Sequence, residues 1–178
     1  MSDLMRCLLD KVTARRVMEG LLKLAEARNL TEEELFALDL YERANTEGIR
    51  LFIVPPTDNV LRRLESLPRY SAIIHLFRNR TEVVQPARYF KRWARRLRDH
   101  GFTREDAAVL ALATFGTSKD AGVLGMHCVA TLDQPMIRQW AAQKAAIRKR
   151  LATMQRNLPA PYRHASLPQV RRPEHIVV

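Results

Sequence analysis

The chain has 178 residues, 47% of them hydrophobic and 28% charged, with a formal charge of +11 at pH 7. That size and balance suit one domain with a real core and exclude a largely disordered chain. The excess of Lys and Arg favours an anionic partner: nucleic acid first, an acidic protein second, a membrane surface third.

The apolar run Leu4 to Leu9, closed by Asp10 and Lys11, predicts a central first strand with a carboxylate at its C-terminal edge. From Val12 to Arg28, Val17, Leu21, Leu24 and Ala25 recur at helical spacing, and Asn29-Leu30 ends that helix. Thr31-Glu32-Glu33-Glu34 reads as a capping box opening a second amphipathic helix that runs to Glu47-Gly48. Ile49 to Val54 is the next strand, stopped by Pro55-Pro56, after which Thr57 is expected to cap a short helix through Leu61, Leu64 and Leu67. Tyr70 to Phe77 fits helix or strand, with helix favoured, and Glu82 to Gln85 is a short strand. Ala87 to His100 is a basic helix with Tyr89, Phe90, Trp93 and Leu97 on its buried side, and Gly101 is placed to end it in a left-handed conformation.

The stretch GFTREDAAVLALATFGTSKDAGVLGMHCVATLDQPM, residues 101–136, organises the rest. Thr103 caps a helix with Asp106 in its first turn and a body apolar nearly all round, which belongs inside. Met126 to Ala130 has the length and flanks of a buried strand and delivers Thr131 and Asp133 to its C-terminal end. Pro135 opens a long helix with a broken apolar stripe that includes Ile137, Trp140, Ile147, Leu151 and Met154. From Asn157 the chain holds four prolines without periodicity, predicting an extended segment wrapped on the body or a partner, or left mobile. Cys7 and Cys128 lie in predicted buried strands without metal-ligand spacing and are expected to be reduced core residues. No apolar run approaches bilayer length, so no membrane partner is expected, and the opening MSDLMRCLLDK is too short and too acidic for a signal peptide, so cytoplasmic residence is expected.

Strands alternating with helices predict an α/β fold with a largely parallel sheet, in which Asp10, Asp106 and Asp133 can converge at one edge. Such a cluster is costly without a cation, because nearby carboxylates raise one another's pKa. Oxygen-only ligands suit Mg²⁺ or Mn²⁺, and such ions make phosphodiester hydrolysis the natural chemistry. Each acid also has an ordinary reading. Asp106 complements a helix dipole, Asp10 caps the following helix, and Asp133 starts the helix opened by Pro135. The arginine-rich helix, with Arg88, Lys91, Arg92, Arg95 and Arg96, suits phosphate contact but is also what a solvated face looks like.

Leu8-Leu9-Asp10, Phe102-Thr103-Arg104-Glu105-Asp106-Ala107-Ala108 with Leu110 and Ala111, and Val129-Ala130-Thr131-Leu132-Asp133 together resemble the motifs of the PIN-domain family of nucleases, which includes many toxins of bacterial toxin–antitoxin pairs. The resemblance covers roughly residues 5–140. It implies a three-layer α/β/α fold with a central, largely parallel sheet over residues 1–142, followed over 143–178 by a C-terminal extension holding a basic helix end and a Pro-rich tail. It further implies a Mg²⁺- or Mn²⁺-dependent ribonuclease in which Asp10, Asp106 and Asp133 hold metal and activate water, with Thr131 and Asn59 behind them. RNA, an antitoxin-like protein and a second copy in a homodimer are the implied partners. The family usually carries a glutamate in the helix after the second strand. Here Asp58 or Asn59 stands in its place, so the alternative is a degenerate module that binds RNA or a protein without cleaving.

Overall fold

The computed structural model describes residues 4–120 and 122–178. Its core is a six-stranded sheet, parallel except at one edge, with helices on both faces: a three-layer α/β fold. The order along the chain is β1 (Met5–Leu9), α1 (Lys11–Ala25), α2 (Glu32–Glu47), β2 (Ile49–Ile53), α3 (Pro55–Leu64), α4 (Pro68–Asn79) and β3 (Thr81–Pro86). There follow α5 (Phe90–Arg98), α6 (Arg104–Phe115), β4 (Gly116–Ser118), β5 (Cys128–Ala130), α7 (Gln134–Gln155) and β6 (Gln169–Arg171). Across the sheet the strands run β4-β3-β2-β1-β5-β6, with β4 alone antiparallel to its neighbour.

Alternation along the central strands sorts side chains to two cores, because successive residues of a strand point to opposite faces. Leu8, Phe52 and Val129 pack with Trp93, Leu97, Trp140, Ile147 and the body of α6 on one face. Cys7, Leu9, Leu51, Ile53, Cys128 and Ala130 pack with α1, α2 and α4 on the other. The apolar-all-round helix is inside as expected: Val109 to Phe115 are all buried. Trp93 and Trp140 are core residues, and both cysteines are free, buried and neighbours across β1 and β5.

Local signals account for most boundaries. Thr31 and Glu34 form the reciprocal capping box, closing two donors at the start of α2, and Gly48 ends it with φ 70°. Gly101 takes φ 87° in the turn between α5 and α6. The ambiguous stretch after Pro68 is helical. Thr57 does not cap α3: the two prolines occupy the first turn, where a missing N–H costs nothing, and the helix starts at Pro55 with Val54 as its cap. β4 is a three-residue strand that no sequence signal announced.

The tail packs on the body. β6 extends the sheet beyond β5, Ile176 is buried in the α1–α2 core, and Arg43 of α2 donates to the Ile176 carbonyl at 3.1 Å. Among the described residues no helix is long and apolar enough to cross a membrane.

Candidate active site at the carboxyl edge of the sheet

The strand order reverses at β1. The chain builds β2 and β3 outward on one side, then returns to place β5 and β6 on the other, so the C-terminal ends of β1 and β5 form the topological switch point at which open α/β sheets bind ligands. Leu9 is level with Ala130 in the register, so Asp10 and Thr131 leave their strands side by side.

Asp10 is buried at 8% exposure and caps α1, accepting the Thr13 N–H at 2.7 Å through Oδ1. Its other oxygen, Oδ2, accepts a hydrogen bond from the hydroxyl of Thr131, itself wholly buried. The Thr131 hydroxyl also accepts the Asp133 N–H at 3.1 Å, and Asp133 Oδ1 takes the Met136 N–H at 3.1 Å to cap α7. Thr131 therefore links two carboxylates: it donates to one and fixes the backbone of the other. Behind them, the Thr13 hydroxyl donates to the Ala130 carbonyl at 3.1 Å, and the Thr131 N–H donates to the Arg171 carbonyl at 3.0 Å.

Asp106 lies in the first turn of α6, its N–H held at 3.1 Å by the Thr103 hydroxyl. A surface ion pair between Lys11 and Glu105 draws the N-termini of α1 and α6 together. Burial raises the Asp10 carboxyl above its ordinary value, against the lowering effect of the Thr131 and Thr13 hydrogen bonds, and the charge of Asp133 raises it further. Burial likewise raises Asp106, and Asp133 and Glu105 add to the rise. Asp133 thus acts electrostatically on both other acids, and three helix N-termini meet around the set. Positive helix ends lessen the repulsion that the carboxylates impose on one another.

The structure brings Asp10, Thr131 and Asp133 together by hydrogen bonds and ties Asp106 to Asp133 by charge. It does not bring Asp58 into that set as a free carboxylate. Asp58 is buried in the first turn of α3 and held by Arg62 at 2.7 Å and Arg78 at 3.3 Å, while Asn59 beside it is exposed. Among the described residues no group of three or more His, Cys, Asp or Glu side chains is arranged to hold a metal ion. The donors at the carboxyl edge are nevertheless all hard oxygens. That is the right kind for Mg²⁺, which keeps several of its waters and needs only one or two carboxylates from a protein.

Arg88, Lys91, Arg92 and Arg95 are exposed and Arg96 is partly so. Phe90, Trp93 and Leu97 turn inward as expected, and Tyr89 packs edge-on against Phe115 and Tyr162. Two contributors escaped the sequence. Thr13 is recognisable afterwards as the third residue past a capping Asp, a local pattern. The Arg171 carbonyl depends on where a remote tail strand docks and leaves no local signal. No protein-family model matches the chain, and no curated protein matches it.

Proposed function

We propose that the chain is a PIN-like ribonuclease dependent on Mg²⁺ or Mn²⁺, hydrolysing RNA phosphodiesters at the carboxyl edge of the sheet. The observation that supports this reading is the hydrogen-bonded link at the strand-order reversal, where the Thr131 hydroxyl joins Asp10 to Asp133, with Asp106 in the first turn of α6 close enough to feel the Asp133 charge. The charge of Asp133 disfavours ionisation of both Asp10 and Asp106, and a cation among them would relieve that cost. Asp10, Asp106 and Asp133 would hold that ion. When bound, it supplies Lewis acidity towards a phosphate oxygen and lowers the pKa of an attacking water.

The chain's own contribution is positioning. Thr13 and Thr131 fix the Asp10 carboxylate in one orientation, and Thr131 fixes Asp133 through its backbone. Arg88, Lys91, Arg92, Arg95 and Arg96 would hold the RNA backbone, since guanidinium groups match phosphate oxygens two at a time. Cleavage of a labelled RNA should require Mg²⁺ or Mn²⁺ and disappear in Asp10→Asn and in Asp133→Asn. Cleavage that survives both substitutions refutes the assignment.

A second reading is a catalytically degenerate PIN-like module that binds RNA or a protein partner. Two observations favour it: Asp58, where the resemblance places a glutamate, is tied down by two arginines, and no ready group of three ligands is present among the described residues. Calorimetric titration with Mn²⁺ separates the readings. A saturable site lost in Asp133→Asn supports the nuclease, and RNA binding without any Mn²⁺ site supports the module.

A further inference from the structure

The positive charge is not spread evenly over the molecule. Residues 11–80 carry 12 Lys and Arg against 10 Asp and Glu, whereas residues 87–156 carry 14 against 5. Most of the first set forms ion pairs: Arg16 with Glu19 and Glu33, Arg43 with Asp39 and Glu47, Arg69 with Glu26, Arg78 with Glu65. In the second set, among the described residues, Arg150 with Asp99 is the one ion pair that a cation makes. The sheet separates the two groups, because α1, α2 and α4 pack on one face and α5, α6 and α7 on the other.

On that second face the exposed cations form two stripes. Lys91, Arg92, Arg95 and Arg98 follow the spacing of one face of α5, opposite the buried Trp93 and Leu97, and the exposed Arg88 lies in the turn just before it. Arg138, Lys149 and Arg156 lie three and then two turns apart on α7, with Arg148 beside them. At 1.5 Å per residue the α7 stripe spans about 27 Å. The stripes adjoin: Arg150 reaches Asp99 at 2.8 Å, and Gln139 donates to the His100 carbonyl at 2.6 Å, so the end of α5 abuts the middle of α7.

What the face lacks identifies the ligand. Single-stranded nucleic acid is gripped by stacking its bases on exposed aromatic rings. Here Trp93, Phe102, Phe115 and Trp140 are buried, Tyr89 and Phe90 at the start of α5 are half-buried against the same core, and among the described residues no aromatic is one of the exposed large hydrophobic side chains. A cationic surface whose rings are turned into the core contacts chiefly phosphates, and an intact double helix presents phosphates with its bases already stacked. We infer that the exposed faces of α5 and α7 together bind the phosphate backbone of double-stranded RNA, so that the substrate class at the acid edge is an RNA carrying a stem. The choice of RNA rests on the ribonuclease reading; the cationic surface does not.

Fluorescence anisotropy in EDTA, where binding is read without cleavage, tests the inference with an RNA duplex, its separate strand and the matching DNA duplex. Arg92→Glu/Arg95→Glu on α5 and Arg148→Glu/Lys149→Glu on α7 should each weaken duplex binding at least tenfold and flatten the dependence of log K on log salt by about two units. Arg15→Glu/Arg63→Glu on the opposite layer should leave both unchanged. If a reversal variant melts early by circular dichroism, the Gln pair at the same positions replaces it. An α7 pair that binds like the control overturns the surface, tighter binding of the single strand overturns the duplex, and tighter binding of DNA overturns the choice of RNA. Failure of the nuclease reading shows separately, as intact binding without metal-dependent cleavage.

Discussion

Thr131→Val isolates the hydroxyl that joins the two strand-end acids, since the two side chains have nearly the same shape. In the native protein this hydroxyl donates to a carboxylate that is 8% exposed, in a place water does not readily reach. A hydrogen bond to a charged group contributes about 1.5–3 kcal/mol, and a buried partner left unsatisfied costs a similar amount. The Asp133 N–H also loses its acceptor, but Asp133 is half-buried and solvent replaces most of that bond. The expected loss at neutral pH is therefore about 2–3 kcal/mol, equivalent to a fall of roughly 5–10 °C in Tm for a chain of this size. Thr131→Ser keeps the donor and should recover most of it.

The pH dependence gives the sharper check. Burial has raised the Asp10 pKa and the Thr131 bond holds it down, so removing the bond raises the folded value further. The penalty is complete at pH values above both folded values. It shrinks as pH falls through them, because the protonated acid needs the bond less. Urea unfolding at neutral pH and again below about pH 4 measures this directly. A penalty that is the same at both, or below about 0.5 kcal/mol at neutral pH, refutes the account.

Three other substitutions probe other parts of the fold. Asp133→Asn keeps a competent helix cap but removes the charge that raises Asp10 and Asp106, so both carboxyl groups should titrate lower by NMR; unmoved titrations would show the acids uncoupled. A Cβ at Gly116 would stand 2.2 Å from the Leu112 carbonyl oxygen and 2.5 Å from Val84 Cγ2, so Gly116→Ala should destabilise by about 1–3 kcal/mol, and a neutral result in thermal melts contradicts that packing. Glu82 receives two hydrogen bonds of 2.8 Å from Arg50 and one of 3.0 Å from Ser118, which hold its carboxyl below the usual range. Its contribution, about 1 kcal/mol or less at this partly exposed site, is present above the ordinary glutamate value and lost as pH falls through the lowered one. Glu82→Gln should accordingly weaken the protein at neutral pH and have no effect in strong acid, and a deficit persisting there counts against the ion pair.

The amino-acid order by itself determined the elements whose causes lie within one or two turns. The Thr31–Glu34 box, the Thr103 cap, Gly48 and Gly101 at positive φ, and the buried helix from Ala107 to Phe115 all depend on neighbours three or four residues away, so their signals are written side by side. Asp10 and Asp133 at strand ends were visible for the same reason. Tertiary structure alone decided what those ends face. Register set Asp10 beside Thr131 across 121 residues of chain, docking of the tail put the Arg171 carbonyl on the Thr131 amide, and the approach of α4 gave Asp58 to Arg78. The count of basic residues was legible, but their gathering on one side was not, because it takes the sheet to divide a layer whose cations are mostly ion-paired from one in which, among the described residues, Arg150 alone is. Contacts of that kind are fixed by the packing of remote elements, and no local pattern in a chain encodes them.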